Sequence, residues 1–73
     1  MNASLNSYVV AYRYTVGGTW ARYRWGIPKG TAEDIAGELV ANDPHVQQVS
    51  VYDLETWNYY NPTGDPVWNW EKP

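Results

Sequence analysis

Three arginines and one tryptophan in the first third of the chain have types and spacing suited to binding: Arg13, Trp20, Arg22 and Arg24. A row of guanidinium groups beside an indole can hold phosphates or carboxylates while a base or ring stacks on Trp20. In the hairpin predicted below, Arg13 stands directly opposite Arg22, and such like-charge pairs destabilise a sheet. The pattern therefore predicts a face that binds an anion, a nucleic acid or a protein.

The same four residues also have a purely structural interpretation, which the sequence leaves open. Charges on an edge strand prevent edge-to-edge aggregation, and arginine stacks on tryptophan as ordinary surface packing. The acidic C-terminal part of the chain can also fold over this face and pair with the arginines. Under that interpretation the arginine face is a solvated edge of the sheet.

A second candidate surface is aromatic and lies in the last third of the chain. The sequence has five Trp and seven Tyr but no Phe. These two residue types dominate the energetics of protein interfaces, because each joins a large ring to a polar atom. The predicted binding residues in this region are Trp57, Tyr59, Tyr60, Trp68 and Trp70. The alternative is that this segment closes the domain's own core.

The sequence predicts no catalytic or metal site. His45 is the only histidine and there is no cysteine, so one chain cannot supply a metal site of nitrogen and sulfur ligands. Asp53 and Glu55 flank a predicted turn, where acids are usually solvated. Residues 29–31 precede a predicted helix that could hold an anion, but the acids of its first turn favour ordinary capping. We therefore expect a protein that is not an enzyme and uses no cofactor.

Length and charge limit the remaining possibilities. The chain has 73 residues and a net charge of −3, which predicts one small domain. Residues 1–30 carry a charge of +4 and residues 31–73 a charge of −7, so opposite ends can attract each other within or between copies. The start of the chain lacks the pattern of a signal peptide and no apolar run is long enough to cross a membrane. A soluble, cytoplasmic protein is expected.

The order of predicted elements indicates an α+β fold. Residues 7–16 and 19–27 are rich in β-branched and aromatic types and predict a hairpin. A helix follows from an N-cap at Thr31 to about Asn42, then a strand over 46–53 and a possible short strand over 57–60. A right-handed crossover gives a mostly antiparallel sheet of order 2-1-3, or 2-1-3-4, with the helix on one face. Residues 1–6 are expected to be flexible, and residues 61–73 are expected to form an irregular aromatic tail. Within this tail, residues 67–70 alternate as in a short strand.

The glycine pair at 17–18 predicts a two-residue turn, and that turn fixes the expected register of the hairpin. It sets Tyr12 opposite Tyr23 and Val10 opposite Trp25, which makes one face nearly all apolar. The predicted core between sheet and helix consists of Val10, Tyr12, Tyr23, Trp25, Ile35, Leu39, Val49 and Val51.

Interface-type residues without an active site favour a non-enzymatic protein-binding module. We expect a small regulator or inhibitor of a partner protein, of the kind that mobile elements encode, and we expect a homodimer because an exposed edge and surplus aromatic rings offer self-complementary contacts. The alternative is a module that binds anions or nucleic acids through the arginines of the hairpin. The identity of the partner does not follow from the sequence.

Overall fold

A computed structural model describes residues 7–58, 61–62 and 64–73. Within these ranges one α-helix accompanies six strands, two of which are only two residues long. The elements are β1 (Tyr8–Arg13), β2 (Ala21–Ile27), α1 (Lys29–Asn42), β3 (Gln48–Asp53), a 3-10 turn (Leu54–Thr56), β4 (Trp57–Asn58), β5 (Asn61–Pro62) and β6 (Trp68–Glu71). The predicted flexible residues 1–6 and the predicted site residues Tyr59 and Tyr60 lie outside the described ranges.

The main sheet has the strand order β2-β1-β3-β6, and each neighbouring pair is antiparallel. The helix packs on one face of this sheet, so the predicted α+β fold and the strand order 2-1-3-4 are confirmed. The fourth place belongs to β6, whereas the predicted fourth strand near Trp57 forms a separate small hairpin of β4 with β5. Part of the segment 61–73, expected to be an irregular tail, is therefore ordered as strand.

The helix begins earlier than predicted. The expected N-cap, Thr31, lies inside the first turn, and Pro28 occupies the capping position with φ −62° and ψ 155°. Proline suits a helix start because its fixed φ is already helical, and the Pro28 carbonyl accepts a hydrogen bond from the Ala32 N–H at 2.9 Å. The helix ends at Asn42, as predicted.

Side chains on the inner face of α1 meet the sheet as the helical periodicity predicts. Ala32 and Ala36 are fully buried, and Leu39 packs against the same cluster. Val49 and Val51 alternate toward the helix, while Tyr52 points to the opposite face. The helix-side cluster consists of Val10, Ala32, Ala36, Val46, Val49 and Val51. No helix of the described residues is long and apolar enough to cross a membrane.

The face of the sheet opposite the helix carries a second cluster, which the sequence did not predict. Its members are Val9, Ala11, Trp20, Tyr52 and Trp57. Trp20 lies with its ring centroid 6.0 Å from that of Tyr52 and 6.4 Å from that of Trp57, in edge-to-face contacts. Both indoles are only 8% exposed. The sheet is therefore covered by side chains on both of its faces.

The connection between β1 and β2 is longer than the predicted two-residue turn. β1 ends at Arg13 and β2 begins at Ala21. A turn inside this loop is closed by the Gly18 N–H, which donates to the Thr15 carbonyl at 2.9 Å. Gly17 has a φ of +76° in this turn, a conformation that favours glycine. The extra loop residues let Trp20 leave the strand and reach the second cluster.

The predicted register of the hairpin is wrong as a result. Ala11 pairs with Arg22 and Val10 pairs with Arg24, with Tyr23 as an additional residue between the two pairs. Such a bulge places two residues of one strand against one of its partner. The expected direct pair of Arg13 with Arg22 does not form.

Candidate protein-binding surface

Four consecutive residues of β2 form the candidate site: Arg22, Tyr23, Arg24 and Trp25, called here the β2 surface. β2 is an edge strand, since only β1 pairs with it among the described strands. All four side chains are exposed, and the rings of Tyr23 and Trp25 have 46% and 53% of their surface open to solvent. The sequence placed both rings in the core, and that prediction is wrong.

Two residues of the β2 surface lie on the side of the sheet away from the helix. Arg22 pairs with Ala11 and Trp25 with Val9, both members of the second cluster. The Arg22 guanidinium carbon lies 4.7 Å from the centroid of the Trp25 ring, within the range of a cation–π contact. The contact therefore places the guanidinium beside an exposed ring on an exposed part of the strand.

The other two residues, Tyr23 and Arg24, lie on the helix side because of the bulge. Tyr23 makes an edge-to-face contact with Tyr12, with ring centroids 6.1 Å apart. A depression of about 130 Å³ opens between β2 and the helix. Its lining residues are Tyr23, Arg24, Ile35, Glu38, Leu39 and Asn42. The depression thus combines apolar side chains with one positive and one negative charge.

Arg13, a predicted site residue, is half-buried and bonded to other parts of the fold. Its Nε donates a hydrogen bond to Gln48 Oε1 at 2.9 Å, and its guanidinium carbon lies 4.7 Å from the Trp20 ring centroid. The polar contacts continue across the sheet, because Gln48 Nε2 and Ser50 Oγ both donate to Asn69 Oδ1, at 2.8 and 2.5 Å. Arg13 therefore joins β1, β3 and β6 through a hydrogen-bonded chain.

The remaining predicted site residues are divided between the two faces of the sheet. Trp20 and Trp57 are buried in the second cluster, where their rings contact each other edge to face. Trp68 and Trp70 are half-buried and pack against the helix-side cluster. The structure brings Arg22 and Arg24 together with two rings that the sequence did not assign to the site. Gly26, an isolated glycine with a φ of +72° inside β2, was the available signal for an irregular strand.

The charges of the β2 surface are not neutralised within the described part of the chain. Neither Arg22 nor Arg24 forms an ion pair with a carboxylate of residues 7–58, 61–62 or 64–73. The sequence left open that the acidic part of the chain folds over the face that carries Trp20 and the arginines. Trp57 from that part does cover Trp20, but no acidic side chain of the described residues pairs with Arg22 or Arg24. The surface therefore presents unneutralised positive charge on a protein whose net charge is −3.

The tip of the hairpin is attached to the end of the helix by a small polar cluster. The Tyr14 hydroxyl donates to Asp43 Oδ2 and the His45 N–H donates to Asp43 Oδ1, each at 2.9 Å. The backbone bond from His45 is the larger cause that lowers the pKa of Asp43, and the Tyr14 hydroxyl is the next. The hydrogen bond that the Tyr14 hydroxyl donates to Asp43 also raises the pKa of the Tyr14 phenol.

This cluster predicts a loss of stability in acid. Because folding lowers the pKa of Asp43, the carboxylate stabilises the fold above its ordinary pKa, and that stabilisation is lost as the pH falls through the lowered value. Urea unfolding at neutral and acidic pH should show a smaller acid-induced loss for Asp43→Asn than for the unchanged protein. Tyr14→Phe, which removes only the hydroxyl, should fall between the two. Equal acid sensitivity of all three proteins would contradict the prediction.

Among the described residues, no group of three or more His, Cys, Asp or Glu side chains is arranged to hold a metal ion. His45 is exposed in the loop after the helix and bonds to Asp43 only through its backbone. Comparison of the chain with protein-family models, with curated proteins and with solved structures finds no match. The case for a function therefore depends on the geometry of the β2 surface.

Proposed function

We propose that the chain is a non-enzymatic module that binds a protein partner through the β2 surface. The observation that carries this proposal is the exposure of four consecutive Arg, Tyr, Arg and Trp residues on an edge strand. Trp, Tyr and Arg are the residue types most enriched among interface hot spots. A module of this kind acts by occupying a surface of its partner, as a regulator or an inhibitor does.

The alternative proposal, binding of nucleic acid or another anion, has less support from the geometry. Phosphate contacts along a strand need cations on one continuous face, whereas Arg22 and Arg24 lie on opposite sides of the sheet. Glu38 lies beside Arg24 in the depression and repels phosphate. A mixed oligonucleotide pool should therefore fail to bind at low salt. Homodimer formation and a cytoplasmic location stay predictions of the sequence.

Replacing Arg22 by threonine separates a binding role from a structural one. Among the described residues the Arg22 guanidinium contacts the Trp25 ring and forms no ion pair. Because threonine also suits a strand, the free energy of unfolding should stay within about 1 kcal/mol of the original value. The matched change Arg13→Thr removes a hydrogen bond and a ring contact and should lower that free energy by about 1 to 2 kcal/mol. Urea unfolding measures both values.

Partner binding should show the opposite order. Proteins retained from cells of the source by the immobilised chain are identified, expressed and titrated against purified variants. A true partner should lose about tenfold or more in affinity for Arg22→Thr. The affinity of the partner should change little for Arg13→Thr, provided that this variant is folded. It should also change little for Val67→Thr, a control at an exposed position. A large loss of stability in Arg22→Thr with intact partner binding would overturn the proposed function.

A further inference from the structure

We infer that the β2 surface takes an extended acidic segment of the partner, which adds to the sheet as a strand beside β2. This inference rests on the proposed function and specifies the chemistry of its partner. The segment's carboxylates bind Arg22 on one side of the sheet, and an aliphatic side chain of the segment enters the depression beside the helix.

The edge position of β2 provides the backbone part of this contact. An edge strand presents unpaired N–H and C=O groups, and an extended peptide can bond to them as the next strand. In the described residues β2 has β1 on one side and no strand on the other. Backbone bonds of this kind give affinity, while the side chains on the two faces of the added strand give specificity.

Side chains of an added strand point alternately to the two faces of the sheet, and the β2 surface differs between those faces. On the face away from the helix, the guanidinium of Arg22 lies over the Trp25 ring and its side chain is exposed, so it can form a bidentate contact with a carboxylate. On the helix face the depression is lined by Ile35 and Leu39 together with the polar side chains of Arg24, Glu38 and Asn42. Its volume of about 130 Å³ suits one medium-sized side chain, whose aliphatic part can contact Ile35 and Leu39. The fitting sequence therefore alternates acidic and aliphatic residues.

Charge complementarity favours this segment over a second copy of the chain. The carboxylates of an acidic segment meet the exposed Arg22, which has no carboxylate partner among the described residues. A second copy that paired through its own β2 would bring no carboxylate to this contact, because Ala21–Ile27 contains no Asp or Glu.

Synthetic peptides test the inference without a known partner. The probe has the length of β2, seven residues, and alternates glutamate with valine or leucine. One control peptide replaces every glutamate by lysine, and a second replaces every aliphatic residue by serine. Calorimetric titration gives affinities, and amide hydrogen exchange of the full chain locates the contact.

The acidic aliphatic peptide should bind at least about tenfold more tightly than either control and should slow amide exchange in β2. Arg22→Gln should weaken this peptide by about fivefold or more, while Arg22→Lys should retain part of the affinity. Val67 lies near β6, at the opposite edge of the sheet, so Val67→Thr should bind the peptide as tightly as the unchanged protein does.

Several results would overturn the inference. In the titrations, these are no binding of the acidic peptide, or equally tight binding of the lysine peptide. In the exchange experiment, it is slower amide exchange in β6 in place of β2. The inference also fails if an oligonucleotide displaces the acidic peptide or if the chain forms a stable dimer that prevents the peptide from binding. The proposed function is judged separately, by the loss of natural partner affinity in Arg22→Thr. A partner that depends on Arg22 but is not displaced by the acidic peptide would leave the proposed function standing and remove the strand-addition mode.

Discussion

Replacing Trp20 by alanine is expected to lower the free energy of unfolding by about 3 to 5 kcal/mol. Trp20 is 8% exposed and belongs to the second cluster, in which its ring, that of Tyr52 and that of Trp57 all contact one another. Its removal opens a cavity on the face of the sheet opposite the helix. The removal also leaves the Arg13 guanidinium without its ring contact. A domain of 73 residues has a total stability of only about 4 to 11 kcal/mol. Urea unfolding monitored by circular dichroism should show a large fall in the midpoint.

The matched control for Trp20→Ala is Trp25→Ala, which makes the same chemical change at an exposed position. Trp25 is 53% exposed and its recorded ring contact is with Arg22, so its removal should cost about 1 kcal/mol. The same variant should lose partner affinity by tenfold or more, on the order expected for a hot-spot tryptophan. Equal destabilisation by the two changes would show that Trp20 is not the structural residue of the pair.

Enlarging Ala36 to leucine is expected to have the second-largest effect on stability. Ala36 is fully buried where the helix meets the sheet, within the cluster that includes Val49 and Val51. Additional methylene groups in such a site force the helix away from the strands or force side chains out of their preferred rotamers, at a cost of about 1 to 3 kcal/mol. Because the helix also lines the depression, the variant should weaken the acidic peptide as well. Thermal unfolding and peptide titration measure the two effects.

Ala41→Leu is the control for this change, because Ala41 is exposed on the same helix. Alanine and leucine have similar helix propensities, so the substitution should change the free energy of unfolding by only about 0.5 kcal/mol. If Ala36→Leu were equally harmless, the close approach of α1 to the sheet would be wrong.

Much of the fold was predictable because local patterns and chain handedness determine it. The apolar residues of α1 recur at helical spacing, and Val49 and Val51 alternate as a strand requires. A right-handed crossover then gives the observed order of the first three strands. The start of the helix was missed by three residues, because Thr31 has the residue type that N-caps prefer, whereas Pro28 occupies the N-cap position.

The site was only partly predictable, because its faces depend on contacts distant in sequence. Arg22 and Arg24 were identified from their charge and spacing. The burial of Trp20 against Tyr52, thirty-two residues later, lengthens the hairpin loop and changes the register. A one-residue change of register moves each side chain to the opposite face. Trp25 was therefore assigned to the core and the exposed ring of the β2 surface was missed.

The central place of β1 has a consequence for the rate of folding. In the pairing of β1 with β3, Arg13 lies opposite Gln48 and Tyr8 lies opposite Asp53. Contacts between residues so far apart in sequence slow folding. Changes at this pairing should alter the folding rate, whereas the outer edge of β2 forms no strand pairing within the described residues. A ligand that occupies this edge should therefore lengthen the lifetime of the folded protein and leave its folding rate unchanged.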